Sequence, residues 1–171
     1  MKKLLSLLLM LTFVFFSACS DDEESPTNST PTDPLVGTWI STGNNVAPLL
    51  NTIFASVGGV DSIYAVFNAN KSYTVKQVNK NRSVLNYAGT YTATKSNVGN
   101  IYTIKLDQTS PSVITSEGIY EINTNVTPNT MKYEVVQTSG TQFAPPTPAG
   151  GFGSTAGGTF GTTNIQNYVK K

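Results

Sequence analysis

Hydrophobic and polar residues alternate along most of the chain beyond residue 35. The cleanest stretch is 101–108, where Tyr102, Ile104 and Leu106 oppose Thr103, Lys105 and Asp107. A period of two is the mark of a half-buried strand. Similar runs lie at 35–41, 62–68, 72–77, 84–94, 118–122, 131–135 and 164–170. In 131–135, Met131, Tyr133 and Val135 oppose Lys132 and Glu134, which read as a wet outer face. Asn70 and Asn81 mark tight turns between the early runs. Gly89 stands inside a strand pattern, which predicts a bulge or bend.

One segment breaks the alternation. Leu49, Leu50, Ile53, Phe54 and Val57 fall on one helical face, with Pro48 at the first turn and Gly58-Gly59 at the exit. The spacing predicts a short helix over 48–57. It reads either as a plug on one end of the fold or as a lid. A second segment, 139–163, has no period and holds seven of the fourteen glycines and three of the nine prolines. Its Phe143, Phe152 and Phe160 predict that it is pinned to the domain, with the mouth of a barrel as one landing place. Gly150-Gly151-Phe152-Gly153 lacks the Lys-Ser/Thr that a phosphate loop requires.

The elements add up to an all-β domain of about eight short antiparallel strands and one helix. An up-and-down barrel suits it, because closure removes exposed strand edges. The alternation points Tyr73, Tyr91, Tyr102, Tyr120 and Tyr133 inward. They would line a small cavity or fill the core, and each buried hydroxyl needs a partner.

Composition narrows the chemistry. There is no histidine, and Cys19 is the single cysteine. The domain therefore lacks the two commonest transition-metal ligands, and no metal or cofactor is expected. It cannot form an internal disulfide or a Cys- or His-based catalytic pair. From residue 35 onward nine basic residues face five acidic ones, and they are scattered, with Arg82 the lone arginine. Nucleic-acid binding needs clustered cations and is not expected. No two carboxylates are spaced to converge across a cleft, so no enzyme is expected.

The first residues carry a different message. Lys2 and Lys3 precede an apolar run from Leu4 to Phe16, which is too short for a transmembrane helix of about 20 residues. Phe16-Ser17-Ala18-Cys19 follows and resembles the lipobox of bacterial lipoproteins. That resemblance implies a signal peptide over 1–18, cleavage before Cys19, and acylation there as a membrane anchor. Ser20, Asp21, Asp22, Glu23 and Glu24 form an acidic stretch that looks like the surface-export signal of Bacteroidota lipoproteins; a solvated linker is the other reading. Residues 19–34 would be a tether, Pro/Thr/Ser-rich from 25 and spanning at most about 50 Å.

Gly37-Thr38-Trp39 opens the domain directly after this tether. Here 35–171 resembles the lipocalin-like domains of bacterial lipoproteins, where Gly-x-Trp begins the first strand and the indole plugs the closed end. The arginine such barrels place over that indole is missing; the last strand offers only Lys170 and Lys171. Asp61-Ser62-Ile63 also resembles the O-glycosylation site of Bacteroidota. The resemblance implies an outer-membrane, lipid-anchored protein, facing outward by the acidic stretch. Two functions stay open: a barrel holding a small amphipathic or apolar ligand, or a filled barrel contacting an envelope protein or surface glycan.

Overall fold

The computed structural model describes residues 33–140 and 143–171. The expected signal peptide, Cys19, Ser20 to Glu24 and the tether up to residue 32 lie outside the described residues. The rest forms a closed barrel of eight antiparallel strands, each paired with its neighbours in sequence and the last with the first. The strands are β1 (Gly37–Thr42), β2 (Val60–Phe67), β3 (Ser72–Asn79), β4 (Val84–Lys95), β5 (Ile101–Ser110), β6 (Ile114–Asn123), β7 (Thr130–Gln137) and β8 (Gln166–Lys170). Adjacent hairpins fix two ends. The chain enters at the lower end, with the β2–β3, β4–β5 and β6–β7 turns. The upper end carries the four remaining connections.

Two turns share one construction. Asn68-Ala69-Asn70-Lys71-Ser72 and Asn79-Lys80-Asn81-Arg82-Ser83 make the same hydrogen bonds at equivalent positions. In each, the middle asparagine's Oδ1 accepts from the backbone N–H and hydroxyl of the serine. The first asparagine's Nδ2 donates to that same hydroxyl. The cost sits at the fourth residue, where Lys71 and Arg82 adopt φ of 66° and 70°. A side chain in this left-handed region costs about 1 kcal/mol, which glycine avoids. Arg82 is exposed and outside any ion pair among the described residues. Arg82→Gly should therefore stabilise the domain by about 0.5–1 kcal/mol in urea unfolding; no gain would show that the turn carries no strain.

Glycine inside two strands has a steric cause. A Cβ on Gly89 would lie 2.2 Å from the Asp107 carbonyl oxygen, and one on Gly118 2.0 Å from that of Glu134. Neighbouring backbones approach too closely there for any side chain. The irregularity expected at Gly89 falls on its partner strand. Ala88 pairs with Ser110 and Gly89 with Gln108, so Thr109 is the extra residue.

The helix is shorter than its apolar period predicts. α1 covers Pro48–Ile53, the chain turns at Phe54, and a 3-10 turn follows at Ala55–Val57. The Phe54 carbonyl accepts from both Val57 and Gly59 N–H, which closes the loop early. Leu50 and Phe54 pack against the core, but Ile53 is 61% exposed instead of on the buried face.

The core is the barrel interior. Trp39, Leu35, Phe67, Tyr91, Tyr120 and Met131 are among its most buried members. Asp33 and Pro34, the last two residues of the expected tether, fold onto the lower end. Asp33 Oδ1 accepts from Leu35 N–H, and its Oδ2 pairs with Lys71 Nζ at 3.1 Å.

Candidate functional site

Strand register places all five sequence-predicted tyrosines on the inner face. Tyr102, Tyr120 and Tyr133 stand side by side across β5, β6 and β7. Tyr73 and Tyr91 join Phe67 near the lower end. Ring contacts fill the space between them. Tyr102 stacks on Tyr120 with centroids 5.0 Å apart, and Tyr91 meets Phe67 edge-on at 5.1 Å. Tyr168 on β8, not singled out in the sequence, meets Tyr133 edge-on at 5.9 Å. The alternation of 164–170 carried the signal for it.

The hydroxyls are less well matched than the rings. Tyr91 Oη donates to the Asn68 carbonyl at 3.0 Å. Among the described residues, the hydroxyls of Tyr73, Tyr120, Tyr133 and Tyr168 have no protein hydrogen bond. Yet no fully buried side-chain polar atom lacks a partner. Each of these hydroxyls must therefore touch water-sized space. Burial pushes the Tyr73 pKa up to about 12, with the Asp107 charge adding to it, and raises those of Tyr120, Tyr133 and Tyr168 as well. All four stay protonated at neutral pH.

The upper end is plugged. The cavity below α1, lined by Ala47, Leu50, Tyr133, Val135, Gln166 and Tyr168 among others, measures about 100 Å³. That holds a few water molecules, whereas small-molecule pockets run about 300–1,000 Å³. Gln166 locks the plug. Its Oε1 accepts from Ala47 N–H at 2.9 Å, and its Nε2 donates to the Asn45 carbonyl and to Ser41 Oγ. These bonds span the seam between β1 and β8, which pair only at Trp39–Lys170 and Ile40–Val169.

The lower end is closed by Trp39. The indole is fully buried and its Nε1–H donates to the Leu35 carbonyl at 2.7 Å. Lys170 Nζ lies 5.2 Å from the ring centroid and donates to the Pro34 carbonyl at 2.8 Å. The last strand thus sets a lysine over the indole.

The glycine-rich segment does not cross the mouth. It straps the outer wall. Glu134 points outward from β7 as the alternation requires, yet it is fully buried rather than wet. Its Oε2 accepts from Gly153 N–H at 2.5 Å, and its Oε1 from Thr155 N–H at 3.1 Å and from the Thr155 hydroxyl. Phe152 receives Lys132 Nζ 4.5 Å from its ring centroid. Phe143 and Phe160 pack on each other at 5.2 Å, and Phe143 stays 46% exposed, so the carboxylate holds the strap more than those rings do.

Ser62 is buried in β2 with its hydroxyl bonded to Asp61, so the folded barrel does not offer it for glycosylation. Among the described residues no group of three His, Cys, Asp or Glu side chains could hold a metal ion. No protein-family model matches the chain, and neither a curated protein nor a solved structure matches it.

Proposed function

We propose that this chain is a non-catalytic lipoprotein, anchored in the outer membrane through Cys19 and displayed outward by Ser20 to Glu24. In this reading the lipocalin-like barrel is filled and acts through its outer surface, as an interaction protein of the cell envelope rather than a carrier. The observation that carries it is the plugged upper end. A cavity of about 100 Å³ under a helix locked by Gln166 is too small for an amphipathic guest. The inward tyrosines serve as packing, with their free hydroxyls facing water.

The lipobox resemblance supports the anchor, and the acidic stretch supports the orientation. Several acyl chains on one residue make a stable attachment, where a single chain is marginal. The chain enters the barrel at the lower end, beside Trp39.

One experiment tests both parts. Protein extracted from its host's membranes is weighed under denaturing and then native conditions. The denatured mass should be that of a chain beginning at Cys19 and carrying acyl groups. The native mass should add nothing beyond lipid and detergent. A stoichiometric small molecule that survives gentle extraction and is lost on unfolding would sink the filled-barrel reading. An unacylated mature chain would sink the anchor.

A further inference from the structure

We infer that the outer wall of β6, β7 and β8 near the lower end binds a neutral oligosaccharide. This rests on the reading above, in which the outer surface is the working surface. Register aligns Glu121, Lys132 and Asn167 in one row across the three strands. Asn123, Thr130 and Val169 form the next row. Asn100 and Asn125 from the lower turns and Asn45 from beyond β1 line the same depression, which also takes in the inward-facing Tyr102, Ile122 and Met131 of the lower rim; its volume is about 800 Å³. That falls within the range of small-ligand sites.

The side chains here have unspent hydrogen-bonding capacity. Among the described residues, those of Asn45, Asn100, Asn125, Asn167 and Glu121 have no hydrogen-bonded protein partner. Asn123 uses only its Oδ1, which accepts from Asn125 N–H. Glu121 and Lys132 face each other across β6 and β7, yet no ion pair joins them. Lys132 is turned onto the Phe152 ring of the strap instead. The strap thereby leaves the Glu121 carboxylate open among five carboxamides.

The chemistry selects the occupant. A carboxamide holds a donor and an acceptor side by side, and a carboxylate accepts from two neighbouring hydroxyls. Vicinal sugar hydroxyls, each a donor and an acceptor, match that set. Nucleic acid would need clustered cations, whereas this row has one lysine opposed by one glutamate. A protein partner would need an apolar centre with charges at its rim. The lining is instead predominantly amide and hydroxyl.

The test is calorimetric titration of the acylated full chain, in a sugar-free detergent, with maltohexaose, cellohexaose, xylohexaose and mannohexaose. At least one should bind, with heat that saturates below about 10 mM, the weak end of specific recognition. Glu121→Gln combined with Asn167→Ala should weaken it roughly tenfold or more, as expected for losing one charge-assisted and one neutral hydrogen bond. Near-UV circular dichroism should stay that of the parent, because both residues lie on the wet side of the wall. No binding by any probe, or binding that the double variant leaves intact, overturns the inference. Neither outcome touches the filled-barrel reading, which the native mass decides.

Discussion

Glu134→Ala should lower the stability of the domain by about 3 kcal/mol and free the strap. Three donors converge on this carboxylate: the N–H groups of Gly153 and Thr155 and the Thr155 hydroxyl. Thr155 is itself fully buried. Each buried donor left without a partner costs about 1–3 kcal/mol. Removing the charge returns part of that, because a buried carboxylate is expensive to desolvate. Glu134→Gln keeps the shape but turns one end of the group into a donor facing a donor, so a loss of about 1–2 kcal/mol is expected. Glu121→Ala is the control. It sits on the same outer side without a partner and should change stability by under about 0.5 kcal/mol. Urea unfolding gives the energies, and limited proteolysis gives the location. Cleavage within 139–163 should speed up in Glu134→Ala well before the barrel unfolds. If the strap of Glu134→Ala stays as resistant as the parent's, the carboxylate is not what holds it.

That residue also marks the boundary of what the chain reveals before it folds. Alternation is a local property, so it placed the strands and turned Tyr73, Tyr91, Tyr102, Tyr120 and Tyr133 inward. The same alternation turned Glu134 outward, which is right. It does not tell what lands on the outward face. The strap that covers Glu134 has no period, because its turns rest on glycines and side-chain bonds instead of a repeating ladder. The helix shows a related limit. Its apolar period runs to Val57, but α1 ends at Ile53, and of its apolar face only Leu50 and Phe54, four apart, reach the core while Ile53 faces solvent. The asparagines of the outer depression lie at 45, 100, 123, 125 and 167. No sequence window joins them; the pairing of β5 through β8 gathers 100, 123, 125 and 167, and the closing of β8 onto β1 adds 45. Tyrosine hydroxyl partners are illegible for the same reason, since they depend on how rings from distant strands share one interior.

Trp39→Ala should be the most damaging single change, at about 3–5 kcal/mol, the range for emptying a large aromatic from a packed core. Trp39 closes the lower end, where β2, β8 and the turn before β1 meet. It pairs in register with Ala65 on β2 and Lys170 on β8. Its Nε1–H satisfies the Leu35 carbonyl in the turn that precedes β1. Its ring lies beneath the Lys170 ammonium, which in turn holds the Pro34 carbonyl. Loss of the indole therefore opens a cavity and unfastens the point where the chain enters the barrel. Trp39→Phe separates these effects. It keeps most of the apolar area but leaves the Leu35 carbonyl unpartnered and weakens the cation contact, so about 1–3 kcal/mol should go. Lys170→Met tests the cation from the other side, with an expected loss of about 1–2 kcal/mol. The double variant Trp39→Phe with Lys170→Met should cost less than the sum of the two, because both remove the same contact. Strict additivity in urea unfolding would mean that Lys170 and Trp39 do not act together.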